Sequence, residues 1–201
     1  YGLAMAPFYT VLSLWVGILL LMSLLSTNVH GDYKPNEVYF GRGLTFLTLT
    51  IIQALIVSLG DIYFLKVQAV NIPLFILISV FTSIVFTAIV YSLVSIFGNV
   101  GKAIGVVLLV IQVAGSGGTF PIQVTPQFFQ NVYPLLPFTY AISAMREAVG
   151  GIYMPNLTKD ISTLAIFIVV FVIFTVFLKK PINKVTEKIQ DRFNESDLTG
   201  H

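Results

Sequence analysis

The chain has 201 residues, 56% hydrophobic and 10% charged, against roughly 25% charged in an average soluble domain. This excludes an ordinary water-solvated domain, and a net charge of +2 with dispersed basic residues argues against nucleic acid as a partner. There are no cysteines, so disulfide frameworks, thiolate metal sites and cysteine nucleophiles are ruled out.

Taken in order, five apolar runs approach or exceed the ~18 to 20 residues that cross a bilayer core of about 30 Å. They lie at about 5–27, 43–64, 73–97, 102–117 and 161–178. The lipid bilayer is therefore the first partner, and the fold class is an all-α polytopic membrane helix bundle. The chain starts at Tyr1 and enters the first run with no basic segment before it, which is not the layout of a signal peptide. A piece of a longer protein, cut just outside its membrane region, is expected. Asn71 is a candidate N-cap for the third run, with Pro73 near the first helical position, where a missing N–H costs nothing. In the fourth run Gly101 and Gly105 stand four apart, a spacing that permits close helix packing.

The stretch "GSGGTFPIQVTPQFFQNVYPLLPFTY", residues 115 to 140, is uncharged and apolar yet contains Pro121, Pro126, Pro134 and Pro137. Its apolar content keeps it with membrane or packed protein, and its prolines prevent one continuous helix. A re-entrant or interfacial helical hairpin over about 119–150 satisfies both demands. Thr125 is placed to cap a short helix, and Pro137 to open another that runs to Val149 and stops at Gly150 and Gly151. Phe138, Ile142, Met145 and Val149 form one apolar stripe of that helix, which is expected to lie shallowly at the outer face. Phe120 and Phe128, near the hairpin tip, are expected to be buried. The fifth run stops at Lys179, Lys180 and Pro181. Residues 179–201 then read as a cytoplasmic tail in which Ile182, Val185, Ile189 and Phe193 recur at helical spacing beside Lys184, Lys188 and Arg192. That is an amphipathic helix on the inner leaflet or a frayed, solvated tail.

Lys and Arg in short loops stay on the cytoplasmic side. With the C-terminus inside, Lys34, Arg42, Lys102, Lys179, Lys180, Lys184, Lys188 and Arg192 face the cytoplasm, and Lys66, Arg146 and Lys159 face outward. Five spans then place the Tyr1 end outside.

Strongly polar side chains within the runs are Gln53, Gln112 and, at an edge, Asp61. Asp61, with Lys66 nearby, reads as an interfacial anchor or ion pair, and Gln53 as a bond across helices or the lining of a path. Arg146 and Glu147 meet a substrate or partner, or form a solvated face. No catalytic set, metal-ligand spacing or cofactor motif is present: His30 and His201 are isolated. "GNVGKA" at 98–103 fails as a phosphate loop because Ile96 and Ala103 occupy required positions. The chain is read as no enzyme, and any ATP hydrolysis as another chain's work. "NLT" at 156–158 is discarded as a chance glycosylation match.

The run from Gly115 through Tyr153, above all Gly117-Gly118-Thr119-Phe120-Pro121 and Pro134 to Tyr140, resembles the C-terminal membrane domain of the YhgE/Pip family. That family is phage infection protein-like and belongs to the bacterial type-2 ABC permease-like superfamily. The resemblance covers essentially the whole chain. It implies the last five of six spans and a large extracytoplasmic region before them. It also implies two outer helices dipping into the membrane, which makes Gly117, Gly118, Phe120, Pro121, Pro137, Arg146 and Glu147 the candidate outer re-entrant element. A multi-pass place in a bacterial cell membrane, a homodimer and a separate cytoplasmic ATPase follow from it as expectations. The loop 28–43 stands where relatives carry an ATPase-contacting helix, but its Gly and Pro content argues against a long helix there. Two functions remain open. One is export of a hydrophobic or cell-envelope substrate. The other is a membrane anchor or scaffold whose missing extracellular region meets phage or secretion-system proteins.

Overall fold

The computed structural model describes residues 5–25 and 34–198, with side chains described as far as Leu178. The order is α1 (Ala6–Leu24), α2 (Pro35–Tyr63), α3 (Ile72–Phe97), α4 (Asn99–Gly115), α5 (Gln127–Val132), α6 (Pro137–Gly150) and α7 (Met154–Leu198), with two short 3-10 turns flanking α5. No strand occurs among the described residues. Four helices are long and apolar enough to cross a bilayer: 6–24, 36–63, 72–97 and 154–178. The fourth expected span is different. α4 has 17 residues and is about 25 Å long, short of a bilayer core.

Local chemistry sets many of the helix ends. The Asn71 side chain accepts a hydrogen bond from Leu74 N at 3.0 Å, which satisfies an orphan N–H, and Pro73 occupies the first turn of α3. Gly98 turns the chain from α3 into α4 at φ 57°, a left-handed conformation suited to glycine. Pro137 opens α6, and Gly151 ends it at φ 123°. One expectation about helix ends fails. Thr125 caps nothing: its hydroxyl donates to the Ile122 carbonyl at 2.6 Å, and Pro126 stands at the N-cap of α5. The apolar part of α7 ends at Leu178, and the helix itself runs on through Pro181 to Leu198. The side chains of the expected amphipathic tail lie outside the described ones.

Helix α3 is the central element, packed against α1, α2, α4, α6 and α7. Half of its apolar stretch (50%) is buried in protein, against 11% for α7, so most of the α7 surface is left uncovered by the rest of the chain. The α2–α3 turn and the start of α1 mark one end of the bundle, and the α3–α4 turn the other. From the latter, α4 and Ser116–Gly118 carry the chain back to Phe8, in the first turn of α1. The chain then dips inward, because Pro137 and Phe138 sit at mid-bundle beside Trp15 and Phe86. From there α6 climbs out, and its Ala148 and Val149 carbonyls receive Asn71 N and Val70 N at the α2–α3 turn.

This is a re-entrant hairpin, but α6 does not lie shallowly. Phe138, Ile142, Met145 and Val149 are all buried, and so are Ala141, Ala144 and Ala148. Those alanines widen the stripe to most of the helix surface and let α6 sit among α1, α3 and α7.

Candidate functional site

The re-entrant helix is held at its inner end by residues from three other helices. Trp15 is fully buried. Its ring packs edge-on against Phe86 of α3 (centroids 4.9 Å apart) and Phe138 of α6 (5.6 Å), and those two rings stack at 5.2 Å. Each such pair contributes about 0.5–1.5 kcal/mol beyond area burial. The Trp15 indole N–H also donates to the Gly105 carbonyl of α4 at 3.2 Å. Gln112, likewise on α4, is 1% exposed, and its Oε1 accepts from Phe138 N at 3.3 Å. No side chain of α6 itself performs that capping. Gln112 Nε2 has no hydrogen-bond partner and borders a cavity of about 70 Å³ shared with Trp15 and Pro137.

Farther along, Arg146 is exposed and its Nη2 donates to the Gly117 and Gly118 carbonyls at 3.2 and 3.3 Å. A Cβ at Gly118 would strike the Phe8 ring, so only glycine lets the backbone approach α1 there. Glu147 accepts from Tyr153 N at 2.6 Å and from Asn156 Nδ2 at 3.1 Å, which closes the turn from α6 into α7. Both charges, read from sequence as a partner surface or a solvated face, thus fasten the hairpin to its neighbours. Pro121 lies exposed beside Phe120. Phe120 and Phe128, expected to be buried near the tip, are 67% and 58% exposed; the innermost part of the hairpin is the buried Pro137–Phe138 start of α6. Three-residue turns and a six-residue helix give these rings no opposing helix face to enter.

Gln53 Nε2 reaches the Ser13 and Leu14 carbonyls of α1 at 3.3–3.4 Å, and it occupies the space that a side chain at Gly17 would need. It joins α1 to α2, while its Oε1 has no hydrogen-bond partner. Asp61 accepts from Thr10 at 2.5 Å, again binding α2 to α1 with a partner other than Lys66. The polar positions found by sequence therefore fall at two separate places: Gln53 and Asp61 on the α1–α2 seam, and Gln112 with the hairpin residues around α6.

Two features escaped sequence reading. Asp160, one residue before the expected fifth span, is 4% exposed. Ser143 of α6 hydrogen-bonds to it, while its Oδ2 has no partner. The second feature is a column of hydroxyls on α3. Ser79, Ser83, Thr87, Tyr91 and Ser95 recur every four residues, a spacing that drifts by about 40° per step, so the column winds from Met145 of α6 at Ser79 to α2 at Ser83, Thr87 and Tyr91. Ser83 donates to the Thr50 carbonyl at 2.9 Å, and Thr87 to the Thr50 hydroxyl at 2.8 Å. Tyr91 donates to the Tyr39 carbonyl at 2.8 Å, and the two tyrosine rings stack at 5.0 Å. The spacing is legible in the sequence, but its meaning depends on α2 lying opposite.

Beside this column a groove of about 250 Å³ opens between α2 and α7, floored by α3 and lined almost wholly by apolar groups. Among the described residues no cluster of His, Cys, Asp or Glu could hold a metal ion. The column's hydroxyls are largely spent on bonds between helices, so the arrangement suits an apolar occupant reached from the membrane rather than an ion or sugar crossing in water.

A family model described as ABC-2 family transporter protein matches residues 1–177. The uncharacterized protein YhgE of Bacillus subtilis (strain 168) is 30% identical over 153 residues, which is 75% of this chain and 20% of that protein. The chain thus spans about a fifth of the length of that relative. No solved structure matches.

Proposed function

Because the chain belongs to the ABC-2 family of transporter proteins, as a YhgE/Pip-like multi-pass permease-like membrane domain, we propose that it takes part in exporting a hydrophobic or cell-envelope substrate. The observation that carries this reading is the apolar groove between α2 and α7, two helices long and apolar enough to cross a bilayer. A lipid-like cargo needs no polar passage. The C-terminus is cytoplasmic and the Tyr1 end extracytoplasmic, which the eight-to-three distribution of Lys and Arg supports. α4 and the hairpin together bring the chain from one end of the bundle to the other, so the parity of five crossings is kept.

A separate cytoplasmic ATPase supplies the energy, and a second copy of the chain completes the permease. The start of α2 supports the ATPase contact. Residues 35–43, where glycine and proline argue against a helix, are its first turns. Pro35 occupies the first helical position, where proline is favoured, and Glu37 accepts from Lys34 N at 3.2 Å. A second reading, an anchor or scaffold for an extracellular region in phage attachment or secretion-machinery assembly, is favoured by the bonds that Asp61 and Arg146 make within the chain.

Purification of the full-length protein in mild detergent, followed by identification of co-purifying chains, separates the two. A stoichiometric ATPase is the expected result. Its reproducible absence from preparations that retain other partners would overturn the transport reading in favour of the scaffold.

A further inference from the structure

The dimensions of the groove select its occupant. On α2 its wall runs from Tyr39 to Leu47, eight residues and thus about 12 Å along the axis. Its volume of about 250 Å³ lies below the ~300–1,000 Å³ of a typical small-molecule pocket and is drawn out along the helices, a shape that suits a thin, extended apolar chain better than a bulky group. Ile84 and Ala88 of α3 form the floor, and Ile168 and Val172 of α7 the far wall.

The two ends differ. Toward Leu47 the wall is aliphatic apart from Thr87, whose hydroxyl is spent on Thr50 Oγ1 and the Ser83 carbonyl. Toward the start of α2 it is closed by the stacked Tyr39 and Tyr91 rings. Their hydroxyls are held by Ser92 Oγ at 3.0 Å and by the Tyr39 carbonyl, so the rings are fixed in place. Arg42 follows on the next turn of α2, near enough to Tyr91 to act on it electrostatically, and Lys34 is exposed at the helix start. Glu37, the one carboxylate on these turns, bonds to Lys34 N. Among the described residues from Lys34 to Arg42 the balance is positive, two cations to one carboxylate.

We propose that the groove between α2 and α7 binds one alkyl chain of an amphipathic lipid, with the lipid's acidic head at the Tyr39–Arg42 end. The identification of this lipid as cargo rests on the transport reading above; the binding rests on the shape and charge of the groove. The same site then explains why Gly43 borders it: an added Cβ would come within 3.1 Å of the Tyr91 ring and press on the polar wall.

The test uses full-length protein in mild detergent, a phosphatidylglycerol carrying a diazirine on its alkyl chain, irradiation, and peptide mass spectrometry. Adducts should be at least fivefold more frequent on Ile84 and Ile168 than on Ile56 and Val107, which are open apolar surface positions. Ala88→Phe and, independently, Ile168→Phe should each lower labelling at Ile84 at least fivefold without changing labelling at Val107. Arg42→Gln should lower labelling by this probe and leave that by a phosphatidylcholine with the same alkyl chain unchanged. Uniform labelling of groove and open surface would overturn the proposal, as would a groove that no probe reaches because another segment of the longer protein covers it. Equal response of both probes to Arg42→Gln would overturn the acidic head. ATPase co-purification, measured on the same preparations, keeps the two readings apart. An ATPase without groove labelling leaves transport standing and removes this site, and labelling without an ATPase leaves a lipid site on a scaffold.

Discussion

Alanine at Gly101 should destabilise the bundle clearly more than alanine at Gly105, although the two glycines are one turn apart on the same face of α4. At Gly101 the new Cβ would run into the Leu93 carbonyl, within 2.5 Å of its carbon, and come within 2.8 Å of Val94 Cα. Both obstacles are backbone of α3, and ordinary contact begins at 3.4 Å. The helices must therefore separate by about 0.9 Å or more at a turn closed by Gly98, an overpacking that costs about 1–3 kcal/mol. At Gly105 the nearest atom is Leu19 Cδ2 at 2.7 Å, and the next, Val90 Cγ1, is 3.9 Å away. A terminal methyl moves aside for about 0.5–1.5 kcal/mol of rotamer strain, against a helix-propensity gain of up to about 1 kcal/mol for alanine over glycine. Gly105→Ala should thus stay within about 1 kcal/mol of the parent. The assay is equilibrium unfolding in mixed micelles, with thermal melting as a second readout. A Gly105→Ala loss equal to or larger than that of Gly101→Ala would refute the reasoning, because it would mean that the backbone approach at Gly101 yields as easily as a side chain.

Three further outcomes are expected. Glu147→Ala should cost about 1.5 kcal/mol, the low end for hydrogen bonds to a charged group because these reach solvent, and should raise proteolysis within 150–156; an unchanged digestion pattern would mean that Glu147 does not hold the turn. In this cysteine-free background, cysteine at buried Met145 should react with a thiol reagent only after denaturation, and cysteine at exposed Thr158 at once; prompt reaction at both would place α6 outside the bundle. Reporter fusions after Lys180 should behave as cytoplasmic and fusions near Asn156 as external, and the same side for both would require the orientation to be redrawn.

Helix ends were legible in the sequence wherever the signal is local. Asn71, Pro137 and the Gly150–Gly151 pair act on the few backbone groups beside them, and apolar run length is set by the membrane itself. The burial of α6 was half legible. Its stripe was visible, but alanine is neutral about its surroundings, and only the presence of α1, α3 and α7 turned Ala141, Ala144 and Ala148 into contact surface. Gln53, Asp61 and Gln112 announced themselves because a polar group in an apolar run is costly without a partner. Their partners, Leu14 at a separation of 39 residues, Thr10 at 51 and Phe138 at 26, could not be read, since helix spacing says which face a residue occupies and nothing of what stands across from it. The same limit hid the hydroxyl column of α3 and the groove beside it. A void is the space that three helices fail to fill, and no single segment encodes it.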